Sequence, residues 1–243
     1  MLAFREIPDN EPALKQSPLL QAVIKLCEYA AEHDGIELTQ TMAFKRTFVH
    51  WAATEFNWPG YTKDHLYRYN KVLNEQDMFP LYVIHEVMLL LKLGRHYKKK
   101  FRLTKAGLDL YQHPGKLFET LIPFFLLELD HSALARGDEP YLGHHNIIYN
   151  IINHEAESGL SSPDLRQILY GAPERPEDGT YQVDHLLWAI NGQILRPLTW
   201  AGLLQVAEDD MQSKFSEGLY FKTELWRQAL VLDDDLPPRT EFH

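Results

Sequence analysis

Apolar positions recur at helical spacing through most of the chain, and two short stretches break the pattern with strand-like alternation. Ser17 and Pro18 read as a capping hydroxyl followed by a first-turn proline. Leu19, Leu20, Val23, Ile24, Cys27, Ala30 and Ala31 then follow at steps that share one helix face until Gly35. Residues 36–38 suit a short strand. Thr39 or Thr41 is placed to cap a second helix through Phe44, Phe48, Trp51, Ala52 and Phe56, which the Trp58-Pro59-Gly60 turn ends. Thr62 with Asp64 opens a third helix carrying Leu66, Tyr69 and Val72. Residues 81–93 are apolar nearly all round, the mark of a buried helix.

The stretch 89–110 constrains the rest most. It joins that apolar helix, ending at Gly94, to two β-prone pieces around a lysine turn and to a helix start at Thr104. Lys98, Lys99 and Lys100 stand at the turn, flanked by Arg95, Arg102 and Lys105, and no carboxylate lies between Glu86 and Asp109. Helix, hairpin and capped helix in this order are the grammar of a winged helix, with the lysines at the tip of the wing. The segment Phe101-Arg102-Leu103-Thr104-Lys105-Ala106-Gly107-Leu108-Asp109-Leu110 resembles the aromatic-x-Leu-Thr-x-x-Gly-x-x-Leu string that closes the wing in many bacterial winged-helix regulators. Leu38-Thr39-Gln40-Thr41-Met42-Ala43-Phe44-Lys45-Arg46 is similar to a Leu-Thr-x-Thr-Gly-Asn-Leu segment of bacterial and plasmid-borne proteins with winged-helix-like domains, with Met42 and Ala43 in place of Gly and Asn. The first resemblance implies a fold; neither fixes a ligand, because winged helices also serve as protein-interaction modules.

Downstream, Pro114 and Gly115 interrupt, residues 116–130 form an apolar helix, and 131–143, with Gly137, Pro140 and Gly143, mark a boundary. A helix over 145–157 ends at Gly159, Ser162-Pro163-Asp164 starts another, and a loop over 171–180 leads to a helix over 183–191. Residues 202–207 and 219–222 can pair around an acidic loop bearing Glu208, Asp209, Asp210 and Glu217, and Thr223 caps a last helix before an acidic tail. The element order thus occurs twice without shared residue identity. The expected architecture is mainly α with small β-hairpin wings: an N-terminal arm over 1–16, a winged-helix-like domain with a basic wing over 17–130, and a second, acidic winged-helix-like domain over 131–243.

Charge sharpens this picture. The net charge is −10, with 24 Lys+Arg against 34 Asp+Glu. Residues 1–130 hold 16 of each, leaving 8 against 18 for the remainder, so the excess negative charge lies in the second half. A polyanion partner is therefore expected on the first half alone. Apolar runs fall short of the ~20 residues a membrane helix needs. The single cysteine, Cys27, forms no intramolecular disulfide, and the N-terminal residues lack the basic-then-apolar order of a secretory signal, which together suggest a cytoplasmic protein with no membrane attachment.

For chemistry, neither phosphate-cradling glycine string occurs, His131, His144, His145, His154 and Glu155 lack metal-ligand spacing, and Cys27 sits on an apolar stripe. No enzyme and no cofactor are expected. The favoured expectation is binding of double-stranded DNA by a transcriptional, plasmid or phage regulator. Lys98, Lys99, Lys100, Arg95, Arg102, Lys105, Lys45, Arg46, Arg68 and Lys71 would meet phosphates, and the helix carrying Arg68 and Asn70 is placed for base edges. The alternative is an adaptor that uses the same domains to bind protein, with the acidic second domain taking a partner or a second copy.

Overall fold

The computed structural model describes residues 2–134, 139–173, 183–207 and 218–235. The chain divides into two units: Ile7–Phe125, and Leu126–His243 together with the N-terminal residues through Glu6. The N-terminal stretch expected as an arm is structured. Strand β1 (Ala3–Phe4) belongs to the second unit, while a 3-10 turn, Pro12–Gln16, buries Ala13 and Leu14 in the first.

In the first unit, Ser17 Oγ accepts from the Leu20 amide and Pro18 takes the first helical position of α1 (Pro18–Glu32), whose apolar face is fully buried. Gly35, at φ 97°, turns the chain into β2 (Ile36–Glu37). The second helix, α2 (Arg46–Glu55), starts several residues later than the threonines suggested. The Thr39 amide bonds the Ala43 carbonyl and Leu38 bridges Phe44, so residues 39–44 form a tight turn whose backbone groups are already paired. Thr62 caps α3 (Lys63–Tyr69) as expected, with Leu66 buried, but Tyr69 and Val72 point outward.

The apolar helix is α4 (Phe79–Leu90), begun by Pro80 in its first turn and ended before Gly94. It leads into the hairpin β3 (Gly94–Tyr97) and β4 (Lys100–Leu103), and then α5 (Lys105–Leu110). Strand order is β2-β4-β3, all antiparallel, with Ile36 opposite Phe101 and His96 opposite Phe101 on the other side. The helical run breaks after Leu110, as expected, and Pro114 itself takes the first position of α6 (Pro114–Pro123). The helix runs on as a π turn, Phe124–Glu128, where the division between units falls.

The second unit repeats the plan. Its elements are α7 (His145–Glu155), β5 (Leu160–Ser161), α8 (Ser162–Tyr170), α9 (His185–Ala189) and α10 (Arg196–Trp200). The hairpin β6 (Leu204–Val206) and β7 (Leu219–Lys222) follows, then α11 (Glu224–Ala229) and β8 (Leu230–Val231), which pairs with β1. Sheet order is β5-β7-β6, the same as in the first unit. The cap of α8 is Ser161, one residue before the serine expected.

The helix expected to end near Asn191 instead continues to Trp200 through a π turn, Ile190–Leu195. Pro197 has no N–H to offer the preceding turn, and the Arg196 guanidinium donates to the Gly192 carbonyl at 3.1 Å. Parts of the 171–180 loop and the acidic residues Glu208, Asp209, Asp210 and Glu217 lie outside the described residues. No described helix is long and apolar enough to cross a membrane.

The repeat extends to single residues. Thr104 donates from Oγ1 to the Lys92 carbonyl, accepts from the Gly107 amide, and bonds Leu93 O through its own N–H. Thr223 does the same with Gly202 O, the Trp226 amide and Leu203 O. Thr104 and Thr223 are therefore counterparts. From them the register equates Phe101 with Tyr220, Arg102 with Phe221, Lys100 with Leu219, Arg95 with Gln205 and His96 with Val206.

Candidate nucleic-acid interface

Tyr97 pairs with Lys100, so Lys98 and Lys99 alone make the turn. Both have positive φ, 48° and 57°, as a two-residue hairpin turn of this hand requires. Such turns favour Asn-Gly; lysine there is unfavourable for the backbone and places two ammonium groups at the outermost point of the hairpin. The tip is braced, because the Leu38 amide donates to the Lys99 carbonyl at 2.9 Å.

Period-two alternation sorts the hairpin faces. Inward go His96 and Phe101; outward go Arg95, Tyr97 and Arg102. Tyr97 is 43% exposed, and Arg95, Lys98 and Arg102 lie 5.3–5.7 Å from its ring centre. This cation–π cluster holds long side chains in place beside an aromatic surface. A groove of about 420 Å³ runs beside the tip, lined by Lys45, Lys98, Lys99 and Lys100 with Glu37, Leu38, Thr39 and Gln40.

The structure thus joins Lys45 to the turn lysines, and Arg95 and Arg102 to the Tyr97 cluster. It also supplies acids that the local sequence did not show. Asp34 takes Arg102 at 2.6 Å and Lys100 at 3.6 Å, and Glu37 takes Lys45 at 2.9 Å. The Lys45 ammonium holds the Glu37 carboxyl below its usual range. The carboxylates of these pairs face solvent, so salt screens them.

Arg46, Arg68, Lys71 and Lys105 line neither the groove nor the Tyr97 cluster; Arg46 donates to Asn74 Oδ1 at 3.1 Å. Asn70 departs from its expected base-reading role. It terminates α3, and its amide donates back to the Leu66 carbonyl. Tyr67 is likewise engaged, by a hydrogen bond to His50.

One constellation escaped the sequence reading. Glu75, 3% exposed, accepts from the Phe44 amide at 2.7 Å and from His85 Nδ1 at 2.6 Å. His85, also 3% exposed, stacks on Phe44 and sets its Nε2 2.9 Å from Nε2 of His96 on β3. Burial, followed by the neighbouring His85, pushes the His96 pKa down. The only local hint was His85 beside Glu86 on a largely apolar helix, since the three residues lie ten and eleven positions apart. Cys27 is buried, and desolvation pushes its thiol up to about 12.

Fold and surface together define a mainly helical protein of two similar units, the first bearing a cationic hairpin. Residues 15–116 match the model of the Y4jL N-terminal domain and residues 135–224 that of the y4jL C-terminal domain. A protein of Sinorhizobium fredii (strain NBRC 101917 / NGR234), described as "Uncharacterized protein y4jL", is 36% identical over 174 residues, covering 71% of this chain and 78% of that relative. The chain belongs to the y4jL family. No solved structure matches it significantly.

Proposed function

We propose that both units are winged-helix domains and that the first binds double-stranded DNA through its hairpin and the adjoining groove. The protein acts as a binding protein and not as an enzyme. The observation that carries this reading is the contrast between sister hairpins: Arg95, Lys100 and Arg102 stand where the second unit has Gln205, Leu219 and Phe221. A shared fold does not need those cations, so a partner of negative charge accounts for them. Helix α4 is too buried to enter a groove, so the wing is taken as the contacting element.

The test is binding of the full chain to a random-sequence duplex across salt, beside a variant with Lys98 and Lys99 changed to alanine. Wild-type affinity should fall steeply with salt, and loss of two phosphate contacts should flatten the log–log slope by about 1.8. No binding at low salt would sink the reading.

A second reading, protein recognition by the second unit, draws on Ile147, Ile168 and Trp188, which are 47–54% exposed. Aromatic and aliphatic side chains of this kind anchor protein interfaces. Crosslinking of the full chain at rising concentration tests its self-association form.

A further inference from the structure

We propose that the groove beside the hairpin tip is a binding site for a small oligophosphate, and that such a ligand and a duplex exclude one another there. The exclusion rests on the function proposed above; the site itself does not. One wall of the groove is an insertion. Matching Phe101 with Tyr220 sets Ile36 against Leu160 and Glu37 against Ser161. In the second unit α8 begins at the next residue, Ser162, whereas in the first unit residues 38–45 come between β2 and α2. The sister unit closes its fold without them.

The insertion is held from several sides. Leu38 bridges Phe44, the Thr39 amide donates to the Ala43 carbonyl at 2.8 Å, and the buried Glu75 carboxylate accepts from the Phe44 amide at 2.7 Å. The Leu38 amide ties it to the Lys99 carbonyl at the hairpin turn. Two short turns are thereby fixed side by side. The groove they line, about 420 Å³, falls within the range of small-ligand sites, and neither wall has to be ordered on binding.

The lining names the chemistry. Lys45 from the insertion and Lys98, Lys99 and Lys100 from the hairpin bring four ammonium groups against the one carboxylate of Glu37. Lys45 meets Glu37 at 2.9 Å and Lys100 meets Asp34 at 3.6 Å, but these carboxylates are 60% and 72% exposed, and exposed pairs contribute little. Among the described residues, Lys98 and Lys99 pair with no carboxylate. Leu38 is buried and no aromatic ring lines the groove, so it offers no surface for a base. Thr39 and Gln40 add a hydroxyl and a side-chain amide as donors. Because the cations come from two walls, a chain of linked phosphates meets more of them than a single phosphate does. The second unit, with no insertion and with Leu219 in place of Lys100, has no such lining. A duplex that uses Lys98 and Lys99 competes for the same groups.

The experiment titrates the full chain with sodium triphosphate at fixed ionic strength, following backbone amides by NMR. Saturable binding is expected, with shifts concentrated in residues 38–45 and 98–100. Lys45→Ala and Lys99→Ala should each weaken it by about three- to fivefold, the weight of one exposed charge pair. Lys105→Ala, outside the groove, should leave it unchanged. Orthophosphate should bind about tenfold more weakly, since it meets fewer of the cations. Shifts that fail to saturate, or equal losses in all three variants, would mean an adventitious ion only and overturn the site. Equal affinity for orthophosphate would overturn the oligophosphate assignment. Duplex binding with and without saturating triphosphate separates the two proposals. Displacement supports both, and duplex affinity unmoved by triphosphate would refute the exclusion. Triphosphate binding by a protein that binds no duplex would support the site and refute the DNA reading; duplex binding by a protein that ignores triphosphate would do the reverse.

Discussion

Replacing Lys98 and Lys99 with Asn-Gly should stabilise the protein while weakening any polyanion binding, a pairing of effects that few surface changes produce. Both lysines hold positive φ, a conformation costing L side chains about 1–2 kcal/mol each. Asn and Gly relieve most of that, about 2–3 kcal/mol in sum. Against this stand the Lys98–Tyr97 contact at 5.3 Å, worth about 0.5–1 kcal/mol at an exposed site, and the extra freedom of glycine in the unfolded chain, about 0.4–1 kcal/mol. The net gain is about 1 kcal/mol. Urea unfolding of the full chain should show a raised midpoint at unchanged slope, and the melting temperature should rise by about 2–4 °C. In the duplex assay the salt slope should flatten by about 1.8, as for the double alanine variant. A destabilised variant would refute the claim that the turn is strained. A stabilised variant with unchanged salt dependence would refute phosphate contact by the tip.

Other consequences can be checked directly. Gly94→Ala places a methyl 2.0 Å from the Phe101 ring, and the overpacking should cost about 1–3 kcal/mol in urea unfolding. Gly107→Ala meets the Leu93 carbonyl at 2.1 Å and should be similarly harmful, which explains the glycine of the Leu-Thr-x-x-Gly string as a close approach of backbones. Thr104→Ala and Thr223→Ala each remove a helix cap, at a cost of about 0.5–2 kcal/mol, and urea midpoints should show the larger loss for the buried Thr223. His96 and His145 both have pKa values lowered from 6.5 by burial, so the unfolded chain protonates first; stability should be complete above about pH 6.5 and decline as pH falls toward the folded values. In urea titrations at successive pH, His96→Gln should remove part of that decline. Cys27, with its thiol pushed up to about 12, should resist alkylation at neutral pH until the chain is unfolded.

What the sequence disclosed was whatever local chemistry determines. Ser17, Thr62, Thr104 and Thr223 each sit where a side-chain oxygen meets an orphan amide two or three residues on, so the cap positions are legible one residue at a time. The basic hairpin was equally plain, being continuous in sequence. The start of α2 was not, because Thr39 and Thr41 carry a capping side chain yet bond one another at 3.0 Å within a turn whose shape is set by pairing to β2. The helix expected over 183–191 stopped short of α10, whereas Pro123 fell inside the helix expected over 116–130; a π turn beside each proline lets the helix continue where proline usually ends it. Asp34 could not be foreseen on the basic face, since it reaches Lys100 and Arg102 beside the β2-β4 pairing from over sixty residues away; Glu37, eight residues before its partner Lys45, was within reach of a local reading.

The comparison within the chain has a force that comparison with other proteins would not add. Two units share strand order, hairpin register and a threonine tied to the same set of backbone atoms, so positions that differ between them are not dictated by the fold. By that measure Phe101 and Tyr220, both buried, belong to the scaffold, and so does each threonine. Arg95, Lys100 and Arg102 do not, nor does His96. The cations lie on the outer face of one hairpin, and His96 alternates with them along β3. A scaffold requirement would have recurred in the second unit, where Gln205, Val206, Leu219 and Phe221 occupy these places. The departures cluster on a single hairpin, and it is there that alanine substitutions should alter binding while leaving the rest of the fold intact.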